Sequence, residues 1–113
     1  MARTAAQQIF AANVSLLIKH IFENGYKCTL GEAFRTEEQA EIYAKEGKGI
    51  VDSQHCKRLA IDLCLFSPAN EYLMHTDQYK LFGDYWEGLH PQNQWGGKFP
   101  RGDGNHFQMK DKL

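Results

Sequence analysis

Three side chains combine ligand chemistry with positions where the pattern predicts ordered backbone. His55 stands just before an apolar run, Asp62 lies inside that run, and His106 opens a second one. Two imidazole nitrogens and one carboxylate suit a catalytic Zn²⁺ site, in which three protein ligands leave a fourth position for water. Asp62 is the most telling of the three. It interrupts "LAIDLCLF", and an ionised carboxylate in an apolar segment is costly unless a cation or strong donors meet it. A metal ion would answer that cost; backbone N–H groups or Arg58 are the alternative partners.

Two further groups suit hydrolysis. Asp103 lies three residues before His106 across the turn "DGNH". There its carboxylate could act as general base on a metal-bound water attacking a carbonyl, then return the proton to a leaving amine. Arg35 offers a fixed cation with a forked donor face, suited to a substrate carboxylate or a developing oxyanion. Each residue alone also has an ordinary reading: a capping or solvated histidine, an Asp-Gly turn, a surface arginine entering a helix. Their coincidence favours chemistry.

The elements that must position these groups follow from periodicity and punctuation. Phe10, Val14, Leu17, Ile18, Ile21 and Phe22 recur at helical spacing between a Thr4/Gln7 capping box and an Asn24-Gly25 stop, predicting the main core helix. "YKCTLGEAF" predicts a strand whose end delivers Glu32 and Arg35 to one edge of the fold. Thr36 and Gln39 repeat the capping box ahead of a helix ending near Gly47, and "GKGIVDSQH" reads as a loop. Leu59 to Phe66 reads as a central strand, followed by a turn and a short extended segment in "SPANEYLM". From Thr76 to His90, the stripe Tyr79, Phe82, Tyr85, Trp86 and Leu89 predicts a third helix, stopped by Pro91. "QNQWGGKFPRGDG" has the composition of a surface loop shaping a cleft, and "NHFQM" that of a final strand. The sum is one α+β domain over residues 1–113, with two to three helices packed on a small, mainly antiparallel sheet.

Composition narrows the function classes. With 42% hydrophobic and 24% charged residues the chain is of globular type, and a net charge of −1 without a basic stripe argues against nucleic-acid binding. No apolar run approaches the ~18 residues needed to cross a bilayer, and "MARTAAQQIF" lacks the apolar centre of a secretory signal, so synthesis in the cytoplasm is expected. Cys28, Cys56 and Cys64 are odd in number and lack CxxC spacing, which predicts reduced thiols. His20, His75 and His90 read as helix-surface, turn and helix-end residues outside the site.

"S-x-H-x-x-x-x-A-x-D" with a distant "D-x-x-H-F" resembles the zinc D-Ala-D-Ala carboxypeptidase, D,D-dipeptidase and L-alanyl-D-glutamate endopeptidase family, whose fold the hedgehog signalling domain shares. "GEAFRTEEQA" is similar to the family's R-[ST]-x-x-Q segment, and "WGGKF" precedes the last histidine as it does there. The likeness spans about Gly31 to Met109 and is nearest to small phage and prophage endolysins. It implies His55, Asp62 and His106 as zinc ligands, Asp103 as acid/base, and Arg35 as the substrate or transition-state arginine. It further implies substrate contacts from Ser53, Gln39 and Trp95, and a monomer that cuts stem peptides of bacterial peptidoglycan without inserting into a membrane. Lacking a signal peptide, such an enzyme would reach the wall by a separate release route of the holin type. Two positions depart from the family pattern: Arg58 replaces a glycine and Gln108 a glutamate.

Three other functions compete. Cys56 beside His55 suggests a thiol peptidase, although neighbours in extended backbone point apart. Two histidines and a carboxylate also describe non-haem iron oxygenases, although their usual His-x-Asp spacing is missing. A zinc-stabilised binding module is the non-catalytic alternative, for which Asp103 and Arg35 would be superfluous.

Overall fold

The computed structural model describes residues 2–49 and 53–111. Its elements are α1 (Ala2–Glu23), β1 (Lys27–Leu30), α2 (Glu37–Lys45), β2 (Ala60–Phe66), α3 (Lys80–Leu89), β3 (Asn93–Trp95) and β4 (His106–Met109). The strands form one sheet in the order β1-β2-β4-β3, with every neighbouring pair antiparallel. Among the described residues this is the expected α+β architecture, with three helices on a four-stranded sheet.

Side chains of a strand alternate between faces, and that alternation separates core from site. Ile61, Leu63 and Leu65 of β2 join Phe107 and Met109 of β4 on one face, where they pack with Phe10, Leu17 and Ile21 of α1 and with Phe82 and Trp86 of α3. Trp86 is central to this packing. Its ring meets Phe10 and Phe107 edge-on at 5.5 and 6.1 Å, and its Nε1–H donates to the carbonyls of Gln94 and Gln108. Asp62, His106 and Gln108 occupy the other face, with only small Ala60 and Cys64 beside Asp62 along β2. The carboxylate in the apolar run is therefore not in the core.

Three expectations need correction. The helix α1 is already formed at Ala2, so Thr4 lies within its first turn and does not cap it. The second capping box does form on the Thr side, where Thr36 Oγ1 accepts the Gln39 N–H at 3.1 Å. The third predicted helix opens as a 3₁₀ turn, Thr76–Tyr79, before α3 begins. The larger correction concerns "QNQWGGKFPRGDG", which holds a buried strand where a surface loop was expected. Glycine here reflects crowding: a Cβ on Gly83 or Gly97 would stand 2.1 or 2.2 Å from the Trp95 ring. Trp95 is 4% exposed and donates its Nε1–H to the Gly104 carbonyl at 2.7 Å.

Candidate metal centre

His55 is placed by a short 3₁₀ turn, Gln54–Lys57, whose N-cap Ser53 accepts the His55 N–H through Oγ at 3.2 Å. The turn ends on Arg58 in the left-handed conformation, φ 57° and ψ 36°, with its N–H on the carbonyls of Gln54 and His55. Such a φ explains why a glycine would be at home there; for another L-residue it costs about 1–2 kcal/mol. The guanidinium of Arg58 lies 4.2 Å over the Phe34 ring and does not serve Asp62.

The partners of Asp62 are the two histidines. Its Oδ1 is 3.4 Å from His55 Nε2 and 3.3 Å from His106 Nδ1. The far nitrogen of each ring is also engaged: His55 Nδ1 donates to the Ala33 carbonyl at 2.9 Å, and His106 Nε2 meets Gln108 Oε1 at 2.7 Å. With each ring neutral, these outer bonds leave the inner nitrogen as a lone pair turned towards one point, and one ligand atom from each of His55, Asp62 and His106 lies within 4.8 Å of the others. Donor types, convergence and outer hydrogen bonds all fit a three-ligand metal site.

Electrostatics agree. Burial alone would push the Asp62 carboxyl up, but hydrogen bonds and positive charge from His106 and His55 outweigh it and hold the group at about 2. Burial alone would lower His106, yet bonding to Asp62 and Gln108 raises it above its ordinary value.

Asp103 lies at the rim, with its side chain half-exposed and Oδ2 4.0 Å from His106 Nδ1. Its backbone binds the Gly96 carbonyl and the His106 N–H, so the turn is fixed relative to β4. Burial and the nearby Asp62 charge raise its carboxyl, with the two histidines and Arg101 opposing them. A carboxylate of raised basicity beside the ligands is suited to moving protons.

Arg35 lines the same cleft of ≈1040 Å³ as His55, Asp62, Asp103 and His106. Its Nε and Nη2 both donate to Glu32 Oε1, Nη1 reaches Ser53 Oγ at 3.3 Å, and its guanidinium lies 4.9 Å from the Tyr43 ring centre. Ser53 therefore joins the His55 turn to Arg35. Glu32 is the participant that sequence reasoning left without a role; the Glu-x-x-Arg spacing at the end of "GEAFR" was the available signal.

Not every expected contact is brought together. Gln39 sits in α2 and Trp95 in the core, and neither lines the cleft. Gln94 and Phe99, on either side of Trp95, do line it. Cys56 Sγ points at the Thr36 carbonyl, 3.8 Å away, and does not line the cleft, which leaves the thiol-peptidase reading without geometry. Residues 50–52 of the "GKGIVDS" segment lie outside the described residues.

The fold, with α1 and α3 packed on one face of the sheet, has a likeness among solved structures. The L-Ala D-Glu endopeptidase ChiX of Serratia marcescens matches with a TM-score of 0.62, covering 74% of this chain and 67% of its own, at 21% identity. No family model and no curated protein matches by sequence. The likeness is thus one of fold, and the chemistry rests on the side chains described above.

Proposed function

We propose that this protein is a zinc-dependent peptidase that cuts stem peptides of bacterial peptidoglycan between L-Ala and D-Glu, in the manner of a phage or prophage endolysin. The observation that carries the reading is the convergence of His55 Nε2, Asp62 and His106 Nδ1 beside Asp103. The fold shared with an L-Ala D-Glu endopeptidase supports the choice of substrate.

His55, Asp62 and His106 would hold Zn²⁺, which when bound supplies Lewis-acid polarisation of a carbonyl and an acidified water. Asp103 would take the proton of the attacking water and deliver it to the departing amine. Arg35, oriented by Glu32, Ser53 and Tyr43, would bind the peptide's carboxylate or the oxyanion, with Ser53 at the same wall. Gln39 and Trp95 would serve the substrate only indirectly, one through α2 and the other through the floor beneath Gln94 and Phe99. The protein would act as a monomer, on the wall, after release by a holin-type route.

Mass spectrometry of purified peptidoglycan after digestion, with and without a chelator, tests this. New L-Ala carboxyl and D-Glu amino termini are expected, abolished by chelator and restored by Zn²⁺. Release of no fragment would favour a binding module, and chelator-resistant cleavage would remove zinc from the account.

A further inference from the structure

Gln108 and Gln94 are explained neither by packing nor by the ligand set. They are direct partners across β3 and β4, both on the sheet face that carries the site, and Gln108 is two residues from His106 on the same strand face. His106 Nε2 meets Gln108 Oε1 at 2.7 Å, and Gln108 Nε2 donates to Gln94 Oε1 at 2.8 Å. Resting on the metal-site reading above, we infer that these two amides form a relay that keeps the proton of neutral His106 on Nε2 and so the lone pair on Nδ1, with Gln108 as a positioning residue and Gln94 setting its direction.

A neutral imidazole has one N–H and one lone pair, so an acceptor at Nε2 leaves the lone pair on Nδ1. Nδ1 is the atom beside Asp62 and the one available as a ligand. An amide, however, has two ends. If Gln108 turned its NH₂ towards His106, the ring proton would move to Nδ1 and block ligation. Two amides in series have two self-consistent settings, and the observed one directs both oxygens towards the histidine. A glutamate at position 108 would need no such help, because both of its ends accept. Gln94 is therefore the compensation for carrying an amide at 108.

Zn²⁺ affinity of the purified protein, measured by competition with a chromophoric chelator, tests the relay without any activity assay. Q108L should weaken Zn²⁺ binding by about tenfold to a hundredfold, the range typical of outer-sphere partners, while Q108E retains it. Q94E, which can only accept, should bind Zn²⁺ as the parent does. Q94K presents a donor, pulls the Gln108 oxygen away from His106, and should weaken binding in the parent but not in the Q108E background. That dependence on background would not arise from a purely structural role for Gln94. Q94K alters a half-buried edge-strand position, so it serves as the test if Q108L fails to fold; circular dichroism of the metal-free variants decides that. Unchanged affinity in Q108L, or equal damage by Q94K in both backgrounds, overturns the relay alone. Failure of the parent protein to bind Zn²⁺ overturns the metal site and the relay together.

Discussion

Asp62 and His106 are direct cross-strand partners on β2 and β4, with Oδ1 and Nδ1 3.3 Å apart. Backbone pairing brings together residues 44 positions apart in sequence, and His55 completes the group from the turn that leads into β2. The sheet therefore sets the distance between two of the three proposed ligands.

This pairing predicts opposite pH responses for metal-free and zinc-loaded protein. Asp62 is depressed from 3.8 to about 2, so its contribution is present above about pH 4 and is lost as pH falls through 2. His106 is raised from 6.5, so its contribution is full below that value and is lost as pH rises through the folded-state pKa. Metal must displace the His106 proton, so affinity rises across the same interval. As pH rises above 6.5 and through the folded-state pKa of His106, the thermal midpoint of metal-free protein should fall, while the increment produced by Zn²⁺ should grow. An increment independent of pH would show that His106 is not a ligand.

Asp103→Asn should lower kcat for muropeptide hydrolysis by about 10²–10⁴, the usual worth of a general base, while one equivalent of Zn²⁺ remains bound. The two measurements separate proton transfer from ligation, since Asp103 Oδ2 is 4.0 Å from His106 Nδ1 and the side chain is half-exposed. Loss of zinc in this variant would make Asp103 a ligand; unchanged kcat would leave it a turn residue.

Arg58 allows a test of the backbone that presents His55. Arg58→Gly relieves the left-handed strain but gives up the contact with Phe34 and adds freedom to the unfolded chain, so stability should change by less than about 1 kcal/mol. Arg58→Val has no such relief, and a β-branched residue at positive φ should cost about 1–2 kcal/mol or more. Urea denaturation of the two variants compares them, and a valine variant as stable as the parent would contradict the left-handed turn.

Much of this was legible from residue types. The helical stripes ending at Asn24-Gly25 and Pro91 marked α1 and α3, and His55, Asp62, Asp103 and His106 were found as one constellation that the structure gathers into one cleft. What escaped had physical causes. Ala60 and Cys64 are apolar but small, so β2 looked continuously buried while its alternation left an open face for Asp62. Glycine-rich composition around Trp95 reads as a surface loop, whereas Gly83 and Gly97 are small to admit its buried ring. Glu32 carried a local signal in its spacing to Arg35, whereas Gln108 gains meaning from Gln94 on the neighbouring strand, a pairing that no local pattern displays.

The position of β4, between β2 and β3 although it follows both in the chain, has a consequence for partly unfolded forms. If β4 detaches, His106 and Gln108 leave with it, and β2 and β3 lose their shared neighbour at the same moment. His55 and Asp62 stay behind, on the turn leading into β2 and on β2 itself, which β1 still pairs. A frayed molecule therefore keeps a two-ligand remnant of the proposed site, whose hold on a metal ion is weaker and less selective than that of the closed sheet.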